Sequence, residues 1–328
     1  MKTVTLFFCA TALLVLSATG EPPAKRAKPE LDIRIIFDNT SARRNFLRSW
    51  GFSALIDFRG KRVLFDAGSD PILLLEHLKK MRIDPKTIDH AVISHQHGDH
   101  LRGVYWVFEK NPAMKVHFLD RFPDEAFRRA KGVKMKPHRV KGPFEVVPGI
   151  FSTGVVEGLP PEQSLVIETS KGMVMLVGCS HPGVVKLVET AQRQRQKKTV
   201  RLLMGGFHMH RQGPEKIGAT IAQLQDLNVQ SVVPSHCSGA LAVDLFKTAY
   251  GKQAISAGAG RRIQLIDGQL KVSVAETDKQ ENEVGFVDLF DGKTLAGWQG
   301  ATNVFAVEKG VLVCRKHGAL GLSEFSVR

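Results

Sequence analysis

Four cysteines among 328 residues are too few for a disulfide scaffold. Acidic residues are scarce as well, with 32 aspartates and glutamates against 46 lysines and arginines. The composition excludes a collagen, a coiled coil and a mostly disordered chain. Beyond the first residues, no apolar stretch approaches the length of about 18 that a membrane-spanning helix needs. What remains, 43% hydrophobic and 24% charged, is the composition of a globular protein. The deficit of acid leaves a net charge of +14. Such a surface favours phosphates, nucleic acid or acidic glycans, or else it is a solvated basic face with no specific partner.

Residues 1–20 read as a secretory signal peptide. Lys2 supplies the positive start, 4–16 is an uncharged and mostly apolar run, and Ala18 and Gly20 are small residues before a cut. The mature protein is therefore expected to be exported, periplasmic or secreted, with a proline-rich basic linker at 21–30. Signal removal takes Cys9 and leaves Cys179, Cys237 and Cys314, an odd number without a paired framework. A second polar linker, 276–284, separates 31–275 from a short piece at 285–328.

Between the linkers, strands and helices alternate. Residues 31–37 and 53–58 alternate apolar with polar, and 62–65 adds a short strand. Ile72, Leu75, Leu78 and Met81 behind Asp70 as N-cap predict a helix over 71–81. An apolar strand at 90–94 runs into HQHGDH, and a helix follows through Glu109. The second half repeats the pattern, with strands at 165–168, 173–177, 200–204 and 231–233 and helices at 184–196, 215–227 and 241–250. Strands feeding polar loops that open into helices predict an α/β fold of layered sheets covered by helices.

His95, His97, Asp99 and His100 place four metal-binding side chains in one hexapeptide. In a loop after a strand, His95 and His97 can point to one ion while Asp99 and His100 turn to a neighbouring one. Imidazole and carboxylate suit zinc, iron or manganese. Two ions about 3.5–4 Å apart would clamp both oxygens of a displacement. His181, His208 and His236 each follow an apolar strand, where separate loops converge on a site. His181 and His236 are expected as metal ligands, and His208 as a ligand or as a catalytic or substrate contact. Asp99 is also a catalytic candidate, able to orient a hydroxide or shuttle its proton. His77, His90, His117, His138, His210 and His317 read as packing or surface residues. Cys179 and Cys237, each within two residues of a histidine, read either as thiolate ligands or as small packed residues. Asn39 and Thr40 either reach the site or make a structural turn. The basic segment 121–141, with Arg128, Arg129 and Lys131, is either a rim for a phosphorylated or carboxylated substrate or a solvated face.

DNT at 38–40, WGFSALI at 50–56, LFDAG at 64–68, HQHGDH at 95–100, GCSH at 178–181, GGFH at 205–208 and PSHCSG at 234–239 follow one another in order. Over roughly 31–269 this series resembles the metallo-β-lactamase superfamily. More narrowly it is similar to the branch related to ribofuranosylaminobenzene-phosphate and methanopterin biosynthesis proteins. The resemblance implies a four-layer αββα sandwich with a dinuclear site at one edge of its two sheets. It implies that Asp66 packs beneath the metal loop, and that Cys179 stands where much of the superfamily places a bridging aspartate. It further implies a metal-dependent hydrolase with one or two ions, zinc foremost and iron or manganese as alternatives, acting with metal-activated hydroxide. The expected substrate is a small anionic phosphoester, lactone or cyclic amide. HQHGDH is also similar to the loop of transfer-RNA-processing members, which makes an RNA or DNA nuclease the second expectation. LFDGKTLAGW at 289–298 resembles the opening of the lectin-like jelly-roll domain known as 3-keto-disaccharide hydrolase. Residues 285–328 are accordingly expected as an incomplete β-rich segment, and a non-catalytic carbohydrate- or wall-binding protein is the third expectation.

Overall fold

The structure is a computed structural model that describes residues 28–275 and four short C-terminal strands, at 298–299, 305–308, 311–314 and 326–327. The expected signal peptide and most of the first linker lie outside the described residues. Two sheets carry the architecture. The first runs in the order β14 (Gln269–Val274), β13 (Arg261–Ile266), β1 (Leu31–Phe37), β2 (Ser53–Phe58), β3 (Lys61–Phe65), β4 (His90–Val92), β5 (Lys115–Leu119), β6 (His138–Val140). The second runs β12 (Val232–Ser235), β11 (Val200–Gly206), β10 (Gly172–Val177), β9 (Leu165–Thr169), β8 (Ile150–Ser152), β7 (Phe144–Val147).

The central strands are apolar on both faces, because each sheet is covered on both, while the edge strand β14 is largely exposed. Val174 and Leu176 of β10 join Ile33, Ile56 and Val63 of the first sheet in a core between the sheets. Met173, Met175 and Val177, with the opposite parity, pack under the helices α4 (Val184–Arg195), α5 (Pro214–Asp226) and α6 (Ala240–Tyr250). On the far side, Leu55 and Leu64 face α1 (Pro71–Lys80), α2 (Gly98–Lys110) and α3 (Asp124–Gly132). The order helix, sheet, sheet, helix is the expected αββα sandwich. The period-2 alternation sorts residues between two apolar neighbours rather than between core and water.

Most of the expected elements are present with bounds shifted by one or two residues. Asp70 caps α1 as expected, its Oδ1 accepting from the Ile72 and Leu73 main-chain N–H groups at 2.9 and 3.1 Å. The strand expected over 90–94 stops at Val92, and Ser94 turns its N–H to the Asp66 carboxylate at 2.7 Å. The helix α3 in the basic segment is not legible in the sequence, since it buries only Ala126 and Ala130. The segment's helix belongs to the outer layer, and its end forms β6 of the first sheet. Arg129 lies over the Tyr105 ring at 4.8 Å, Arg139 over Phe127 at 3.6 Å, and Arg121 pairs with Glu157 at 3.5 Å.

Where strands run parallel, their C-terminal ends share one edge. β3 is parallel to β4 and β4 to β5, and β10, β11 and β12 are parallel in the other sheet. The loops leaving these ends carry HQHGDH, GCSH, GGFH and PSHCSG, so the topology delivers the histidine motifs to one side. Among the described residues, no helix is long and apolar enough to cross a membrane. Residues Glu276–Arg328 form a separate unit. In it, β15 (Trp298–Gln299) pairs antiparallel with β18 (Ser326–Val327), and β16 (Phe305–Glu308) with β17 (Val311–Cys314). The motif at 289–298 falls almost wholly outside the described residues.

A second set of histidines sits on neighbouring strands away from the parallel-strand loops. His90 and His117 stack with ring centroids 5.2 Å apart and planes 7° apart, and their Nδ1 and Nε2 atoms are 2.9 Å apart. His117 also packs on Phe144, at 5.1 Å. Burial holds His117 down to about 3, from an ordinary value of 6.5, and lowers His90 as well. As pH falls, the unfolded chain takes up these protons first, so stability is lost from about 6.5 downward through about 3. The urea midpoint is expected to decline steadily across that window. His117→Gln should flatten the decline, and an equally steep decline in that variant would show that His117 is not its source.

Candidate metal centre

Three of the four histidine loops are held by polar side chains from elsewhere in the chain. Asp66, at the end of β3 and fully buried, accepts from the Ser94 N–H at 2.7 Å and the Ser94 hydroxyl at 2.8 Å, and pairs with His100 Nδ1 at 2.7 Å. Because the Ser94 hydroxyl donates to Asp66, it accepts from His95 Nδ1 at 2.9 Å. The proton of the neutral His95 ring is thereby fixed on Nδ1, and its Nε2 is a bare lone pair, 3.2 Å from His97 Nδ1. Asn39 does the same for His236. Its Nδ2 donates to the His236 carbonyl at 3.1 Å, so its Oδ1 accepts from His236 Nδ1 at 3.0 Å. A neutral ring so held turns the lone pair of Nε2 to the site. This nitrogen lies 3.2 Å from Asp99 Oδ2 and 3.2 Å from His100 Nε2. Asp38 completes the support, accepting from the His236 N–H at 3.0 Å.

The GCSH loop hangs on a residue that the sequence does not single out. Glu162 is fully buried, and its Oε1 accepts from the N–H groups of Gly178, Cys179 and Ser180 at 2.8, 3.1 and 3.0 Å. Its Oε2 accepts from His181 N–H at 3.0 Å. Burial pushes this carboxyl up to about 7, against the pull of those amides. The segment PPEQS around it reads only as a turn, which is why no periodicity exposes it. Gly178 is needed where the two loops meet, since a Cβ there would strike the Ser94 side chain. Asp66, Ser180, His208 and His236 all have positive φ, at 58, 61, 52 and 48°. Non-glycine residues in this region carry strain and cluster at functional sites.

Three groups of side chains have potential ligand atoms within 4.8 Å of one another: Asp99, His100, Cys179 and His236; His95, Cys179 and His181; Cys179, His208 and Cys237. The structure thus brings together every residue expected as a ligand, with His97 joined to the second group through His95 and by its ring, 4.8 Å from that of His181. His208 stands beside His181, ring centroids 4.5 Å apart, and its Nδ1 is buried without a partner, as is His181 Nε2. His210 is exposed, as expected. Thr40 turns back to Asp38, at 2.6 Å, so of the pair Asn39 and Thr40 it is Asn39 that reaches the site.

The electrostatics suit a cation. Burial and the neighbouring imidazoles hold His95 well below the ordinary imidazole value, and burial holds His181 down to about 3. Against the opposite push of burial, the Asp66 carboxylate raises His100 to about 9. Burial raises Asp99 too, but His236 and His100 bring its carboxyl below the usual range. A proton on His100 Nε2 can serve only one of the three acceptors around it, His236 Nε2, Cys179 Sγ and Asp99 Oδ2, at 3.2, 3.2 and 3.7 Å. A divalent ion would serve all of them, and the nitrogen, oxygen and sulfur donor set fits one. An open cleft of about 360 Å³ adjoins His181 and His208 and is lined by Gln212 and Lys216.

Replacing Glu162 with Gln keeps one acceptor oxygen but turns an NH2 group toward the four amides. In chelator-treated protein, Glu162→Gln is expected to cost about 1–3 kcal/mol of unfolding free energy. It should also weaken divalent-metal affinity about 10–100-fold by loosening the GCSH loop. Urea unfolding and metal titration measure the two effects, and unchanged values would remove Glu162 from the support of the site.

Residues 51–185 match the family model described as the metallo-beta-lactamase superfamily. The 7,8-dihydropterin-6-methyl-4-(beta-D-ribofuranosyl)-aminobenzene-5'-phosphate synthase of Methanocaldococcus jannaschii is 27% identical over 267 residues, 67% of this chain and 91% of that protein. An uncharacterized protein of the same organism is 29% identical over 241 residues, 63% of this chain and 90% of that protein. Among solved structures, a metal-dependent hydrolase of the beta-lactamase superfamily aligns with a TM-score of 0.61 and 24% identity, covering 72% of this chain and 100% of its own. The metallo-beta-lactamase fold protein YhfI from Bacillus subtilis aligns with a TM-score of 0.55 and 13% identity, covering 72% and 100%. The sandwich, the gathered ligand loops and these matches agree: the described residues up to Ala275 have the metallo-β-lactamase fold, and 51–185 within them are similar to the metallo-beta-lactamase superfamily.

Proposed function

We propose that the domain is a metal-dependent hydrolase, exported behind residues 1–20, that acts on a small anionic phosphoester, lactone or cyclic amide. One observation carries this reading: His236 Nε2 meets the Asp99 carboxylate and His100 Nε2, each at 3.2 Å, and Cys179 Sγ lies 3.2 Å from the same His100 nitrogen. A shared proton can serve only one of these contacts, whereas a divalent cation serves them all. Zinc suits the donor set first, and iron or manganese also suit it. When bound, such ions polarise a substrate oxygen and lower the pKa of water toward neutrality.

The chain's own residues supply position and proton handling. Asp99 spends Oδ2 on His236, which leaves its other oxygen to orient a water and accept its proton. His208, whose ring lines the cleft, is placed to contact a substrate. Lys216 on the cleft wall offers positive charge to an anionic substituent. The relative named as a phosphate synthase supports a phosphorylated substrate. Its name also favours a second reading, in which the same centre serves a bond-forming rather than a hydrolytic reaction.

Purified full-length protein is expected to carry divalent metal by elemental analysis and to turn over members of a phosphoester and lactone panel. His97→Ala and Asp99→Ala should each lower turnover about 10²–10⁴-fold. Their far-ultraviolet circular dichroism should not change, since both side chains lie outside the apolar clusters. Full activity in both variants would overturn the reading. Turnover only when a second, nucleophilic substrate is supplied would favour the synthase alternative.

A further inference from the structure

Cys179 occupies an unusual place for a buried thiol. It is only 3% exposed, yet it belongs to none of the three apolar clusters that make up the core. Its backbone is fixed from outside, by the Glu162 carboxylate on its own N–H and those of its neighbours. The side chain is thereby aimed at the imidazoles. Sγ lies 3.2 Å from His100 Nε2, close to the spacing of about 3.3–3.8 Å that two donors on one tetrahedral ion adopt. It is the one atom common to all three ligand groups found among the described residues. A thiol has a single weak hydrogen to give. Around this sulfur stand the Asp99 carboxylate, His95, His100, His181 and His236.

We propose that Cys179 is a bridging thiolate, holding one divalent cation with His95, His97 and His181 and a second with Asp99, His100 and His236. This rests on the metal-centre reading above and goes beyond it. It assigns sulfur to the position between the ions and makes the centre selective for thiophilic metals such as zinc, cadmium and cobalt over manganese. Binding breaks the S–H bond, with the proton released to solvent and the electron pair shared between the two cations. Cys237 is not the bridge. Its Sγ is directed to the Cys179 carbonyl at 3.7 Å, and it shares a ligand group with His208 and Cys179 but with neither Asp99 nor His95.

The test is cobalt(II) titration of the full-length, chelator-stripped protein, read by absorption and by equivalents bound. The expected result is two equivalents and a sulfur-to-cobalt charge-transfer band in the near ultraviolet. Cys179→Ser should lose the band and the second equivalent. Cys179→Asp, which restores a carboxylate bridge and guards against simple misfolding, should keep two equivalents without the band and lose much of the preference for cadmium over manganese. Cys237→Ser should keep band and stoichiometry. Visible cobalt d–d bands without charge transfer in the wild type would overturn the thiolate bridge while leaving the imidazole site intact. A band that survives in Cys179→Ser, or that vanishes only in Cys237→Ser, would overturn it equally. Failure to bind any cobalt would overturn the metal-centre reading itself.

Discussion

The Asp66 carboxylate is the constraint on which the rest of the site depends. It lies at the end of β3 with no exposed surface, and holds the Ser94 main chain, the Ser94 hydroxyl and His100 at once. Through Ser94 it also fixes His95, one hydrogen bond further on. One buried acid therefore orients two imidazoles that belong to different ligand groups. It lies beneath the HQHGDH loop with its oxygens engaged by Ser94 and His100, and it orients the ring nitrogens of its neighbours.

The same solution recurs on the other loops with different chemistry. Glu162 gathers four consecutive amides of the GCSH turn, and Asp38 with Asn39 holds both the backbone and the ring of His236. These three loops are thus anchored by an acid or amide from outside the loop, while the GGFH loop is held by the Ser180 and Ser238 hydroxyls. Ser180, His208 and His236 can then hold left-handed backbone angles that they would not adopt alone. The αββα frame makes this affordable, because its three apolar clusters leave the loops free to be polar.

Parallel pairing explains why the loops meet. β3 and β4 in one sheet and β10, β11 and β12 in the other bring their C-terminal ends to a common edge. The motifs that follow those strands need only short loops to converge. The antiparallel strand β1 ends on the same side, which brings Asn39 within reach of a residue almost two hundred positions later. The basic segment 121–141, by contrast, packs its helix on the outer layer. Arg129 and Arg139 spend their guanidinium groups on the rings of Tyr105 and Phe127.

Much of this was legible in the amino-acid order. Strand and helix periods, the Asp70 cap, the HQHGDH hexapeptide and the three strand-end histidines are local patterns, and local patterns survive in one dimension. The helix α3 was hidden because two alanines make too weak an apolar face. Glu162 was hidden because its role is defined by four amides from another loop, a contact that leaves no trace in its own surroundings. The sequence alone also left Cys179 open between packing and ligation. Only the tertiary structure set its sulfur among imidazoles and a carboxylate instead of aliphatic side chains. Which ring nitrogen is free, and what a buried thiol faces, depend on partners brought together by folding, and for that reason chain order could not decide them.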